Sequence, residues 1–212
     1  MSAAANPRCT CGAPARYPGQ LCDGCQQKAW RDERLREVGD ATMLALPDRP
    51  RRGVRKLRTL VKDPTAVDRV DAALAARVDR ILLIGDAGLG KTLLAVHVLG
   101  SGAYGRGLRG VFVDAYSLAF ARANGRLGEE PELVRRARDA GVLVIDDLGA
   151  EPNVASSPIP EVIHHRHAAT AMTVITSGFP LDALEARYGA GVFRRLVEDA
   201  EVVELQAPKA AR

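Results

Sequence analysis

No apolar run in the 212-residue chain approaches the roughly 18–20 residues that a membrane-spanning helix needs, so no membrane segment is expected. Met1–Pro7 has neither a charged start nor an apolar stretch, which argues against a secretory signal and for a cytoplasmic protein. Cysteine is absent after Cys25. A disulfide framework would spread cysteines through the fold, so four confined to Cys9–Cys25 read as one local site. There is no internal repeat of roughly 20–50 residues, which excludes a solenoid. Aromatic residues are scarce, at 4%.

The apolar content is 47%, enough at this length to bury a core. Charge is unevenly spread. Residues 1–62 hold 13 Lys/Arg against 6 Asp/Glu, a net of +7, and the remainder hold 17 against 20, a net of −3. A basic arm on a mildly acidic body predicts an anionic partner for the arm. Residues 26–46 read as a charged helix with a weak apolar stripe of Trp30, Leu35 and Val38, broken by Pro47 and Pro50. Arg49–Lys62 is a basic linker or partly helical arm without an aromatic residue for base stacking, and Asp63–Pro64 marks a boundary. The expected division is a module at 1–46, a linker at 47–63 and a body at 64–212.

Within the body, a helix is expected over Ala66–Arg77, and strands at Ile81–Ile84, Val111–Val113, Val142–Ile145, Thr173–Thr176 and Val202–Leu205. Helices are expected near Lys91–Leu99, Tyr116–Asn124, Glu132–Ala140, Pro160–Thr170, Leu181–Tyr188 and Val192–Asp199. Short strands apolar on both faces and spaced by helices predict an α/β fold, with a parallel five-stranded sheet covered on both sides. Ligands of such sheets bind at the carboxyl ends of the strands. The glycine-rich stretch Leu99–Gly110 follows a helix and precedes a strand, the wrong order for a phosphate loop, and reads as a flexible connection.

The strongest motif is Gly85-Asp86-Ala87-Gly88-Leu89-Gly90-Lys91-Thr92, then Leu93, between an apolar strand and an apolar helix. It is a GxxxxGKT phosphate loop in the context that motif requires. Its glycines let successive N–H groups face phosphate oxygens at a helix N-terminus, Lys91 reaches the β and γ phosphates, and the Thr92 hydroxyl coordinates Mg²⁺. Gly141–Gly149 then delivers two carboxylates at a strand end: Asp146 for Mg²⁺ and Asp147 to polarise the attacking water as general base. Thr173–Gly178 ends a strand expected between the phosphate-loop strand and the aspartate strand, where Ser177 is a candidate to sense the γ-phosphate.

Cys9-x-Cys11 and Cys22-x₂-Cys25, separated by ten residues, suit a tetrahedral Zn²⁺ site, and a segment with so little core would draw its folding energy from the metal. His164, His165 and His167 lack an accompanying ligand pattern and read as part of an ordinary helix. Arg122 and Arg126 are candidates to face a DNA channel in an oligomer.

The strings GDAGLGKT, VLVIDDLGAE and TVITSGFP, followed by Arg194-Arg195-Leu196, resemble the AAA+ ATPases of the bacterial replicative helicase-loader type, DnaC- and DnaI-like and related to IstB. The resemblance covers roughly residues 64–206, and VIDDLGAE is its most specific element. It implies a P-loop NTPase fold, ATP and Mg²⁺ at the motifs above, and a sensor at Ser177–Gly178. There the family usually has a polar residue such as Asn in place of Gly178, leaving Thr176 or Ser177 to substitute. It further implies an arginine finger at Arg195, with Arg194 competing, given to a neighbouring subunit of a homo-oligomer. Only seven residues follow Leu205, so a reduced form without a C-terminal helical lid is expected. The implied function is loading of a replicative hexameric DNA helicase onto single-stranded DNA, with the N-terminal module docking on the helicase. The alternatives are an IstB-like transposition helper and a nucleotide-gated adaptor with little hydrolysis.

Overall fold

A computed structural model of the chain describes residues 7–17, 20–126 and 128–207. Most of Met1–Pro7, on which the absent-leader reading rests, lies outside them. The elements run α1 (Asp23–Leu44), α2 (Asp48–Gly53), a 3₁₀ turn at Val54–Lys56, α3 (Leu57–Leu60), α4 (Pro64–Ala75), β1 (Arg80–Ile84) and α5 (Lys91–Arg106). Then come β2 (Gly110–Asp114), α6 (Ala115–Phe120), α7 (Glu132–Asp139), β3 (Val142–Asp146), α8 (Ile159–Ala168), β4 (Met172–Ser177), α9 (Leu181–Val197) and β5 (Ala200–Glu204).

The five strands form one parallel sheet in the order β2-β3-β4-β1-β5. Strand β4 therefore lies between the phosphate-loop strand β1 and the aspartate strand β3, as the sequence predicts. Strand residues alternate between two cores. Ile81, Leu83, Val142, Val144 and Val174 pack with residues of α4 and α5 on one face. Leu82, Ile84, Leu143, Ile145 and Ile175 pack under α6–α9 on the other. Covering both faces removes water from the strands and aligns their carboxyl ends at one rim of the sheet.

Two expectations are corrected. Leu99–Gly110 is not a connection: α5 continues to Arg106, and Gly107, at φ 67°, caps it by donating to the Ala103 carbonyl. Gly102 and Gly110 serve close packing, for a Cβ on Gly102 would lie 2.5 Å from Val142 Cγ2 and one on Gly110 would lie 2.5 Å from Thr42 Cγ2. The helices expected at 181–188 and 192–199 are present as the two arms of α9, parted by non-helical backbone at Gly189 (φ 77°, ψ 157°). Trp30 joins no apolar stripe, being 70% exposed.

The segment expected as a linker is folded onto the body. Leu46, Leu57 and Val61 enter the same core as α5. The Lys62 N–H donates to the Leu89 carbonyl at 3.2 Å, and Val61 presses on Gly90, where a Cβ would meet Val61 Cα at 3.0 Å. The distal half of α1 is also docked. Gly39 faces the Tyr104 ring, Tyr104 Oη donates to Asp40 at 2.7 Å, and Gly110 N–H donates to Thr42 Oγ1 at 3.2 Å.

Far from the strand carboxyl ends, Arg166 on α8 is 1% exposed, and among the described residues it has no carboxylate within 4.0 Å. Its guanidinium donates to the carbonyls of Ala137 (3.3 Å), Arg138 (3.1 Å), Ala140 (2.7 Å) and Met172 (2.6 Å), and to Thr173 Oγ1 at 2.9 Å. It thereby caps α7 and ties it to β4. The neighbouring His167 pairs with Glu198 at 3.0 Å, in keeping with an ordinary helix.

Candidate nucleotide site and cysteine cluster

The β1–α5 loop needs backbone conformations that L side chains rarely adopt: φ is +145° at Gly85, +77° at Gly88 and +103° at Gly90. That curl closes around Lys91, whose Nζ donates to the carbonyls of Gly85 (2.6 Å) and Asp86 (2.9 Å). The ammonium is thus parked inside the loop it would serve. A cavity of about 540 Å³ opens beside it, bounded by Ala87, Gly88, Gly90, Lys91, Thr92, Leu93, Asp147 and Gly178. Leu89 is turned inward, only 4% exposed, and anchors the loop to the core.

Strand β3 brings Asp146 up to Thr92, which lines this cavity. Thr92 Oγ1 lies 3.1 Å from both Asp146 carboxylate oxygens, across the β1–β4–β3 part of the sheet. Thr176 Oγ1 donates to Asp146 Oδ1 at 2.6 Å. Burial raises the Asp146 carboxyl above its ordinary range and the Asp147 charge adds to this, while the two threonine hydroxyls and Lys91 oppose it. Asp147 is exposed and held at φ 57°, an uncommon conformation for a side chain of its type, with its N–H on Thr176 Oγ1 at 2.8 Å. This bend aims consecutive aspartates differently, Asp146 into the fold and Asp147 to the cavity. A carboxylate and a hydroxyl converging on one point, beside a phosphate loop, fit a divalent cation with oxygen ligands.

Ser177, expected as a sensor, is fully buried and committed elsewhere. Its Oγ donates to the Leu148 carbonyl at 2.7 Å and accepts from Phe179 N–H at 3.0 Å. Thr176, the alternative hydroxyl, reaches the site through Asp146. Gly178 borders the cavity, with nothing within 4 Å of where a Cβ would stand.

Sequence reasoning missed the residues behind the aspartate turn. Glu151 is buried, accepts Gly149 N–H at 2.9 Å, and binds Arg187 (3.1 Å) and the Tyr188 hydroxyl. That carboxylate fastens the Asp147 turn to α9. The last residue of the VIDDLGAE string was the available signal for it. Arg195 does not line the cavity: its Nη1 donates to the Gly191 carbonyl of its own helix at 2.6 Å, and Arg194 is exposed. Arg122 pairs with Glu130 (2.7 Å) and Glu161 (2.5 Å), while Arg126 is exposed.

The four cysteines converge. A turn with Gly12 at φ +89° folds Cys9 and Cys11 back, and Cys22 and Cys25 sit at the N-terminus of α1. All four sulfurs lie within 4.8 Å of one another, and Cys11 Sγ is 3.7 Å from Cys22 Sγ. A tetrahedral ZnS₄ centre with Zn–S of about 2.3 Å has edges of about 3.8 Å, so the spacing fits that ion and is far too long for a disulfide. Backbone N–H groups of Cys11 and Cys22 pull the Cys9 thiol down to about 6, whereas hydrogen bonding with the other three sulfurs pushes Cys25 up to about 12. Among the described residues no second group of His, Cys, Asp or Glu converges in this way.

A parallel sheet in this strand order, with a phosphate loop after β1 and an aspartate pair after β3, defines an ATP-binding P-loop protein of the AAA+ class. The family model described as IstB-like ATP binding protein matches residues 26–209, and the chain belongs to that family. No curated protein matches it. Among solved structures it is similar to the DnaC helicase loader, with 25% identity and a TM-score of 0.58 over 67% of this chain and 89% of that one. DnaI is 22% identical, with a TM-score of 0.56 over 81% and 94% of the two chains. Domain III of the Thermotoga maritima replication initiation protein DnaA is 21% identical, with a TM-score of 0.55 over 72% and 67%. Among the described residues no helix is long and apolar enough to cross a membrane.

Proposed function

We propose that this chain is a cytoplasmic, ATP-hydrolysing helicase loader that delivers a replicative hexameric DNA helicase onto single-stranded DNA. The likeness of its body to the DnaC helicase loader carries this reading. In it, residues 1–46 form a zinc module and helix that dock on the helicase, 47–63 form a basic arm, and 64–212 form the ATPase body. Cys9, Cys11, Cys22 and Cys25 hold Zn²⁺, which has a structural role.

The loop N–H groups and Lys91 bind the phosphates of ATP, with Lys91 leaving the Gly85 and Asp86 carbonyls as they arrive. Thr92 and Asp146 would hold Mg²⁺, whose charge offsets that of the phosphate oxygens when it is bound. Asp147 accepts a proton from the attacking water. The water oxygen bonds to the γ-phosphorus as the bond to the β–γ bridging oxygen breaks, leaving ADP and phosphate. Thr176 holds Asp146 and the Asp147 N–H in register. Arg195, which does not line its own cavity, acts in a neighbouring protomer's site in a homo-oligomer.

The test is loading of a replicative helicase onto protein-coated circular single-stranded DNA, read as unwinding. ATP-dependent stimulation by the zinc-loaded chain is expected; absence of both association and stimulation contradicts the proposal. The IstB-like family match favours a second reading, a transposition helper that selects target DNA with ATP. Capture of a transposase in place of the helicase would establish it. Gly178, which adds no polar group to the cavity, favours a nucleotide-gated adaptor if phosphate release stays negligible with DNA and helicase present.

A further inference from the structure

The cavity beside the phosphate loop has a wall that the nucleotide motifs do not supply. Arg49, Pro50, Gly53 and Leu60, all from the segment expected as a linker, line it together with Lys91, Thr92 and Asp147. The segment is fixed there by Lys62 N–H on the Leu89 carbonyl, by Val61 against Gly90, and by Leu57 in the core. The first turn of α2 is therefore held at the cavity rather than tethered near it.

The arginines around this turn differ in their commitments. Arg51 and Arg52 both pair with Asp48 and line a separate cavity next to Leu44 and Tyr104. Arg58 is held by Asp68 (2.8 Å) and Asp71 (3.2 Å) on α4. Arg49 has no carboxylate within 4.0 Å among the described residues, and is exposed on the nucleotide cavity. A triphosphate carries about four negative charges near neutral pH, and Asp146 and Asp147 add carboxylates. Lys91 and one divalent cation offset roughly half of that total. A guanidinium is suited to the deficit, since it stays charged and presents donors that match phosphate oxygens two at a time.

We propose that Arg49 is a phosphate-contacting residue of the nucleotide site, a cation that the arm supplies to its own protomer's triphosphate. The inference rests on the reading of this cavity as the ATP site. It makes the arm a part of nucleotide binding and ties α2 to whether phosphates occupy the loop.

The test is titration of the full zinc-loaded chain with fluorescent analogues of ATP and AMP, in Arg49→Ala, Arg49→Lys, Arg52→Ala and Lys91→Ala variants. Arg49→Ala is expected to weaken the ATP analogue on the order of tenfold, the scale of one charge-assisted contact. Its AMP affinity stays within about twofold, and the ATP defect narrows as KCl rises. Arg49→Lys recovers part of the loss, and Arg52→Ala matches wild type. If Arg49→Ala binds the ATP analogue like wild type while Lys91→Ala does not, the Arg49 assignment is overturned and the ATP site stands. Equal weakening of both analogues by Arg49→Ala also overturns it, making the residue part of the base or ribose wall. If Lys91→Ala leaves ATP affinity unchanged, the reading of the cavity fails, and the proposal with it.

Discussion

Two buried polar clusters sit at different places in this sheet, and they are built on opposite principles. Arg166 is enclosed by four carbonyls and a hydroxyl. Burial still lowers its guanidinium to about 10, but each of its three nitrogens donates, and it fastens α7 to β4. Asp146, at the strand carboxyl ends, has two hydroxyls for a buried charge, a second carboxylate next in sequence, and a raised proton affinity. The first cluster is complete without a ligand. The second is a site that a cation would stabilise, which separates stability from ligand binding along the strands.

The largest expected effect breaks the functional cluster alone. Asp146→Asn and Lys91→Ala should each lower ATP hydrolysis by at least about a hundredfold, the scale of losing a preorganised electrostatic group. Asp146→Asn should also match or exceed wild-type stability without nucleotide, because it removes a buried charge; thermal melting beside phosphate release checks both. Arg166→Met should do the reverse. It leaves the α7 carbonyls unpaired and should lower unfolding free energy by about 3–5 kcal/mol in urea titrations, a loss that added ATP does not restore.

The cysteine module extends the contrast to a third site. Chelation or Cys22→Ser should release one zinc per chain, counted by colorimetric titration, and unfold the segment before α1. Nucleotide affinity of the body should change less than twofold, since the four cysteines lie outside its core clusters. The smallest effect concerns Asp63, the cap of α4, which accepts from Thr65 and Ala66 N–H and from Gln206 N–H. The Thr65 hydroxyl and these N–H groups, Gln206 among them, hold its carboxyl below the ordinary value. A folded-state pKa below the unfolded one gives stability that is complete above about 4 and lost as pH falls through the lower folded value. Asp63→Ala should cost about 1 kcal/mol at neutral pH and lose its disadvantage in acid, as acid melts of both proteins would show.

Much of this was legible because the body obeys local rules. Strand positions followed from apolar runs, and the phosphate loop from glycine spacing. The place of β4 between β1 and β3 followed from the doubly wound pattern. What was missed depends on contacts distant in sequence. Arg166 looks like any polar residue in a histidine-rich helix until the α7 carbonyls close on it. Glu151 acquires its role only when α9 returns with Arg187 and Tyr188. The glycines of α5 suggested a loop, because the close approach of Val142 to Gly102 has no local signature. The arm reads as solvated by its charge, yet Leu57 and Val61, spaced one helical turn apart, commit it to the core. Ser177 and Thr176 are adjacent hydroxyls on opposite faces of β4, so only the strand's orientation decides which meets the aspartate.

The central claim is that the carboxyl ends of the strands form a Mg²⁺-dependent ATPase site in which Asp147 handles the attacking water. Phosphate release by wild type and Asp147→Asn, each with and without single-stranded DNA and beside a nucleotide-affinity measurement, tests it most directly. The account predicts Mg²⁺-dependent release by wild type, and loss of release with ATP affinity retained in the variant. Equal rates for the two proteins would contradict it.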